Sequence, residues 1–150
     1  METTLLIIHI LAAGSWLGAS VAQAYVTPRL SAVGGATAAS WQHAIIGLGK
    51  HVYPPAAIVV LITGFGLVGV SDGAFGYGDT FIVIGIIMVV VGAAMGIRVF
   101  GPLAEKTAAA FEADDSSTAH TLLARARSLG ILDTLLLVFT FIVMVNHLGA

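Results

Sequence analysis

Four residues with chemical capability stand inside the apolar stretch LLIIHILAAGSWLGASVAQAYV, Leu5 to Val26. They are His9, Trp16, Ser20 and Gln23, at intervals of seven, four and three residues. At about 100° per residue they share one helix face. Lipid offers nothing to such a face, so it is expected to turn into a helical bundle. A second stripe, Asp133, Thr140 and His147, repeats at intervals of seven near the other end of the chain. An ionisable group within a membrane segment is a functional candidate by default. Imidazole is also a ligand for a metal or a haem iron. His9 and His147 are therefore the candidate ligands, with Trp16 on the same face as His9 and the thioether of Met144 one turn before His147. A thioether suits Cu(I) or an axial haem position.

A porphyrin also needs space. Gly64, Gly66 and Gly69 in one apolar segment, Gly85 in the next, and Ala12 and Ala13 in the first would leave a slot at one level of the bundle. The same residues have a plainer use, since small side chains let membrane helices approach closely, as Gly14/Gly18 and Gly92/Gly96 also would. Met88, Met95 and Met144 can likewise be ordinary packing.

Asp133 is costly in a membrane helix unless paired. Arg98, at the corresponding depth on the preceding helix, is the expected partner in a structural ion pair, and a proton relay is the alternative. His43, His51, Lys50 and Tyr53 read as a polar rim in contact with lipid headgroups. His120 reads as solvated. The sequence contains no P-loop, dinucleotide fingerprint, nucleophile elbow or HExxH, and no cysteine. Thiolate metal sites, iron–sulfur clusters and disulfides are therefore excluded.

The elements that must position these residues are membrane helices. Only 9% of the 150 residues are charged and 58% are hydrophobic, with a mean hydropathy of +1.01. Soluble domains carry about a quarter charged residues. One all-α integral membrane domain is expected, an up-down bundle of four transmembrane helices over about 4–27, 38–70, 80–111 and 117–147. Pro28 is expected to end the first helix, residues 31–40 to form a flexible polar link, and Pro54-Pro55 to interrupt the second helix. SDGAFGYGD, Ser71 to Asp79, reads as a turn, and Gly101-Pro102 as a kink in the third helix. Ala22-Gln23-Ala24 looks like a signal-peptide cleavage site, but Met1-Glu2 supplies no basic n-region, so the first segment reads as a true span. Val26-Thr27-Pro28 and Phe100-Gly101-Pro102 echo one another, as two related hairpins would.

All six Lys and Arg residues, Arg29, Lys50, Arg98, Lys106, Arg125 and Arg127, fall around the first and third connections. The positive-inside rule then places both basic loops in the cytoplasm and both termini outside a cell membrane. His9 and His147 would both lie near the outer surface.

His9, Trp16 and Gly18, followed by Pro28-Arg29-Leu30, resemble the first helix of the CopD-like and HemJ-like four-helix membrane proteins. Pro54-Pro55-Ala56 with Leu61-Ile62-Thr63-Gly64 resembles their second helix. Asp133-Thr134-Leu135-Leu136-Leu137 resembles the start of the HemJ-type fourth helix. The resemblance implies a haem- or copper-associated bundle, with a ligand His at position 9. HemJ-like proteins are protoporphyrinogen oxidases and place a functional Lys in the third helix. Phe81 to Ile97 has neither Lys nor His, so the resemblance points to a relative without that activity.

The leading functional expectation is a haem-b-binding membrane protein, in electron transfer or haem handling, with His9 as axial ligand and His147 or Met144 opposite. The alternatives are a copper-handling protein using the same residues and a cofactor-free accessory subunit of a membrane complex. A fourth reading is a proton or ion path along Asp133, Thr140 and Gln23. The bilayer is the expected partner, with a homo-oligomer or larger membrane complex possible. No basic run suggests nucleic acid.

Overall fold

The computed structural model describes Met1–Asn146; His147, one of the candidate ligands, lies outside the described residues. The described residues form six α-helices: α1 Glu2–Val33, α2 Gly35–His51, α3 Tyr53–Gly69, α4 Thr80–Met95, α5 Gly101–Glu112 and α6 Ser116–Asn146. They make four long rods, because α2 and α3 are nearly continuous, and α4 runs into α5 through a π-helical turn, Gly96–Phe100. Each rod is long and apolar enough to cross a membrane.

The breaks have local causes. Gly34 (φ 75°, ψ −175°) separates α1 from α2 in a backbone conformation open to glycine but not to larger residues. The expected flexible link over residues 31–40 is therefore a single reversal, and α2 begins at Gly35. Pro28 does not end α1, which passes through it to Val33. Proline is tolerated inside membrane helices when neighbouring groups compensate. Next to Pro28, Arg29 donates to the Tyr25 carbonyl at 2.6 Å and lies 3.5 Å over the Tyr25 ring. Pro54 and Pro55 open α3, where the missing N–H groups cost little. At Pro102 the i→i−4 ladder loses a donor. The helix widens there, and the Gly101 N–H bonds to the Gly96 carbonyl.

In the membrane portion α1 packs on α3 and α6, α4 packs on α6 and α3, and the ring closes with first and last rods as neighbours. Beyond it, α2 and α5 pack on each other, with α5 also against α6. The core has three layers. Ala38, Ala39, Ala110, Phe111 and Ala119 fill the α2–α5–α6 end. Trp16, Ala56, Ala57, Val89 and Leu137 fill the middle. Phe81, Ile82 and Val143 fill the opposite end, with Val68, Phe75 and Met144 around them. Two cross-helix bonds secure the first end: the Trp41 indole donates to Thr27 Oγ1 at 3.0 Å, and His43 Nε2 meets Glu112 Oε1 at 2.8 Å. Large apolar side chains cover the outside, among them Ile62 at 65% exposed and Leu135 at 61%. Such a surface is suited to lipid rather than water.

Candidate functional site

The polar stripe of α1 faces the bundle, and each of its members meets a partner from another rod. His9 Nδ1 lies 3.0 Å from Thr63 Oγ1. Thr63 is buried and donates its own hydroxyl proton to the Val59 carbonyl at 2.6 Å, with the Val60 carbonyl at 3.3 Å. In the tautomer with the proton on Nδ1, that hydroxyl oxygen accepts from the imidazole and Nε2 keeps its lone pair. A ligand histidine is oriented in the same way, by an acceptor that takes a hydrogen bond from its other nitrogen. His9 is only half-buried, between lipid-exposed Ile8 and Ile10.

About two turns further along α1 lies Trp16, and about three and four turns along lie Ser20 and Gln23. Trp16 is buried, with its ring centroid 6.3 Å from that of Tyr53. Gln23 Nε2 donates to the Tyr53 hydroxyl, and Ser20 also hydrogen-bonds to that hydroxyl. Asp133 of α6 is half-buried and close enough to act electrostatically on the same phenol. Three rods thus converge on Tyr53. The residue expected on a headgroup rim instead links the α1 stripe to the α6 carboxylate. Thr63 and Tyr53 are the two residues that the sequence reading did not place with the α1 stripe, Tyr53 having been read as part of the rim. Thr63 stood within Leu61-Ile62-Thr63-Gly64, and Tyr53 beside the helix-opening Pro54; neither position shows which neighbour it faces.

The expected ion pair between Arg98 and Asp133 does not form. Among the described residues the one ion pair is His43–Glu112. Arg98 instead lines a cleft with Lys106 and Arg125. Asp133 lies on the α6 face that meets Tyr53, so the two groups are turned to different neighbours. His51 and His120 are exposed.

The glycines expected to leave a slot are already in use. A Cβ on Gly64 would stand 3.3 Å from His9 Cε1, and one on Gly66 3.3 Å from Leu5 Cδ1. A Cβ on Gly85 would overlap the Met144 methyl, and one on Gly92 would stand 2.8 Å from Trp16 Cζ2. These notches receive the chain's own side chains, which is close helix packing. A porphyrin does not fit between the rods at Gly64 and Gly85. With Nδ1 engaged by Thr63, Nε2 is the ring nitrogen of half-buried His9 that would be left to ligate a haem iron. Met144 packs against Gly85 in the α4–α6 layer, while His9 packs against α3. Among the described residues no three His, Cys, Asp or Glu side chains gather as a metal cage. No family model matches the chain, and neither does any curated protein or solved structure.

Proposed function

We propose that this is a multi-pass membrane protein that binds haem b through His9 Nε2, in the service of electron transfer or haem handling. The observation that carries this reading is the Val59–Thr63–His9 chain of hydrogen bonds, which engages His9 Nδ1 and, in the Nδ1–H tautomer, leaves Nε2 free to ligate. A haem iron held there would supply one-electron chemistry. The resemblance of His9, Trp16 and Gly18 to the first helix of CopD-like and HemJ-like proteins supports the same assignment. The proposed orientation places the α2–α5 end in the cytoplasm of a cell, because all six basic residues lie around that end.

The test is the absorption spectrum of the purified full chain, oxidised and then reduced, after haem supplementation during growth. A Soret band that disappears in His9→Ala and broadens or weakens in Thr63→Val is the expected result. A wild-type protein with no Soret band overturns the proposal and leaves the cofactor-free accessory subunit. Copper without porphyrin by metal analysis points to the copper-handling reading.

A second reading is favoured by a separate observation. The Ser20–Gln23–Tyr53 cluster beside Asp133 puts an exchangeable phenol proton next to a carboxylate inside the bundle. Proton handling there would respond to Asp133→Asn, whereas the haem spectrum would not.

A further inference from the structure

Arg98, Lys106 and Arg125 converge on one cleft where the π-helical turn, α5 and α6 meet. The cleft holds about 150 Å³ and is completed by Val99, Pro102 and Leu103. At roughly 30 Å³ per water, that is room for several waters or one phosphate group. The two cations from the third rod are placed by spacing. Arg98, Pro102 and Lys106 recur every fourth residue, and Pro102 sits between them where it offers no N–H. Arg125 reaches in from α6.

None of the three cations has an acidic partner. The one ion pair among the described residues uses His43 and Glu112. Asp115 is engaged by Ser117 and Thr118 at the start of α6. Glu105 neighbours Lys106 in sequence but is not part of the cleft lining. Three like charges around a single concavity repel one another unless an anion joins them. Guanidinium forks match the oxygen geometry of phosphate.

The depth of the cleft favours one source for that phosphate. From Thr80 to Arg98 a helix rises about 27 Å at 1.5 Å per residue, close to the ~30 Å hydrocarbon thickness of a bilayer. The intervening run of α4, Phe81–Met95, contains no charged residue. Arg98 therefore sits where apolar core gives way to headgroups, beside the apolar walls of Val99 and Leu103. Basic pockets at this level between helices suit anionic headgroups.

We propose that Arg98, Lys106 and Arg125 form a phosphate-group site at the membrane boundary, occupied by the headgroup of an anionic phospholipid. The site is independent of the haem reading and stands or falls without it. The experiment is native mass spectrometry of the purified full chain, released from detergent after incubation with equal amounts of phosphatidylglycerol and phosphatidylcholine. The expected preference for phosphatidylglycerol is about tenfold or more. It falls stepwise in R98Q, K106Q and R125Q and is lost in the triple variant, while R127Q, the same charge change outside the cleft, retains it. All these positions are exposed, and an unchanged helical circular dichroism spectrum confirms the fold of each. A parallel arm adds millimolar inorganic phosphate. Displacement of the lipid shows recognition of the phosphate group itself, and resistance shows that the whole lipid is held; both support the site. Equal retention of the two lipids, persistence of the preference in the triple variant, or an equal loss in R127Q overturns it.

Discussion

At the scale of single residues, the polar face of α1 was legible because its period is local: His9, Trp16, Ser20 and Gln23 fall on one helix face whatever surrounds them. Their partners were not, because Thr63 and Tyr53 reach them across 54 and 30 residues of sequence, and no local pattern encodes such a meeting. The Gln23–Tyr53 bond allows a direct test of coupling. Gln23→Leu or Tyr53→Phe alone leaves a polar partner unmatched, and the double variant removes both. A double-mutant cycle by unfolding in detergent is expected to show coupling of about 0.6–2 kcal/mol, the range for polar contacts between membrane helices. Additive losses would mean that the bond contributes nothing. The glycine notches separate in the same way. A Cβ at Gly92 meets Cζ2 of a buried indole at 2.8 Å, whereas one at Gly85 meets the far end of the flexible Met144 side chain. Gly92→Ala is expected to cost about 1–3 kcal/mol by overpacking, and Gly85→Ala less, with Met144→Ala restoring the Gly85 variant. Equal costs would show that Trp16 can move aside as freely as a thioether.

At the scale of elements, the prolines show why a residue type alone does not place a boundary. Pro54 and Pro55 open a helix, Pro102 widens one, and Pro28 is carried through. The outcome depends on where the proline falls in its helix and on what surrounds it, which the residue type alone does not encode. The start of α6 was legible to within a residue or two because its cap is local. Asp115 Oδ1 accepts from the Thr118 N–H at 3.1 Å and from the Ser117 hydroxyl at 3.1 Å. Hydrogen bonds from Thr118 foremost, with Ser117 adding to them, hold this exposed carboxyl below its ordinary value of 3.8. A carboxyl whose pKa is depressed by folding stabilises the folded state above its unfolded pKa, and that contribution fades as pH falls through the folded value. The thermal midpoint is therefore expected to drop between about pH 6 and about pH 3 by more in wild type than in Asp115→Asn, since asparagine caps without titrating. Equal drops would place the acid sensitivity elsewhere.

At the scale of the whole molecule, four rods, their connections and the crowding of every Lys and Arg around one end were all readable from hydropathy and charge, which are properties of long averaged stretches. The reach of that end beyond a simple bundle was less legible. The extension of the third helix to about residue 111 agrees with α5, which ends at Glu112, whereas residues 31–40 read as a loose link. In the fold, α2 and α5 pack on each other over an alanine-rich layer, Ala38, Ala39 and Ala110 with Phe111, so both arms belong to the ordered bundle. Small side chains make that contact, and they carry little signal in a hydropathy profile. The proposed orientation follows from where those arms lie, because Lys50, Lys106, Arg125 and Arg127 are on them or on the facing part of α6. It can be tested cleanly, since the chain has no cysteine of its own. Ala74 is exposed in the turn between α3 and α4, and Ala113 in the turn between α5 and α6, at opposite ends of the bundle. A membrane-impermeant maleimide applied to intact cells is expected to label Ala74→Cys and to reach Ala113→Cys only after permeabilisation. The reverse pattern would put the basic end outside, and with it the Arg98–Lys106–Arg125 cleft; it would also turn the His9 end of the bundle, and with it the proposed ligand, toward the cytoplasm.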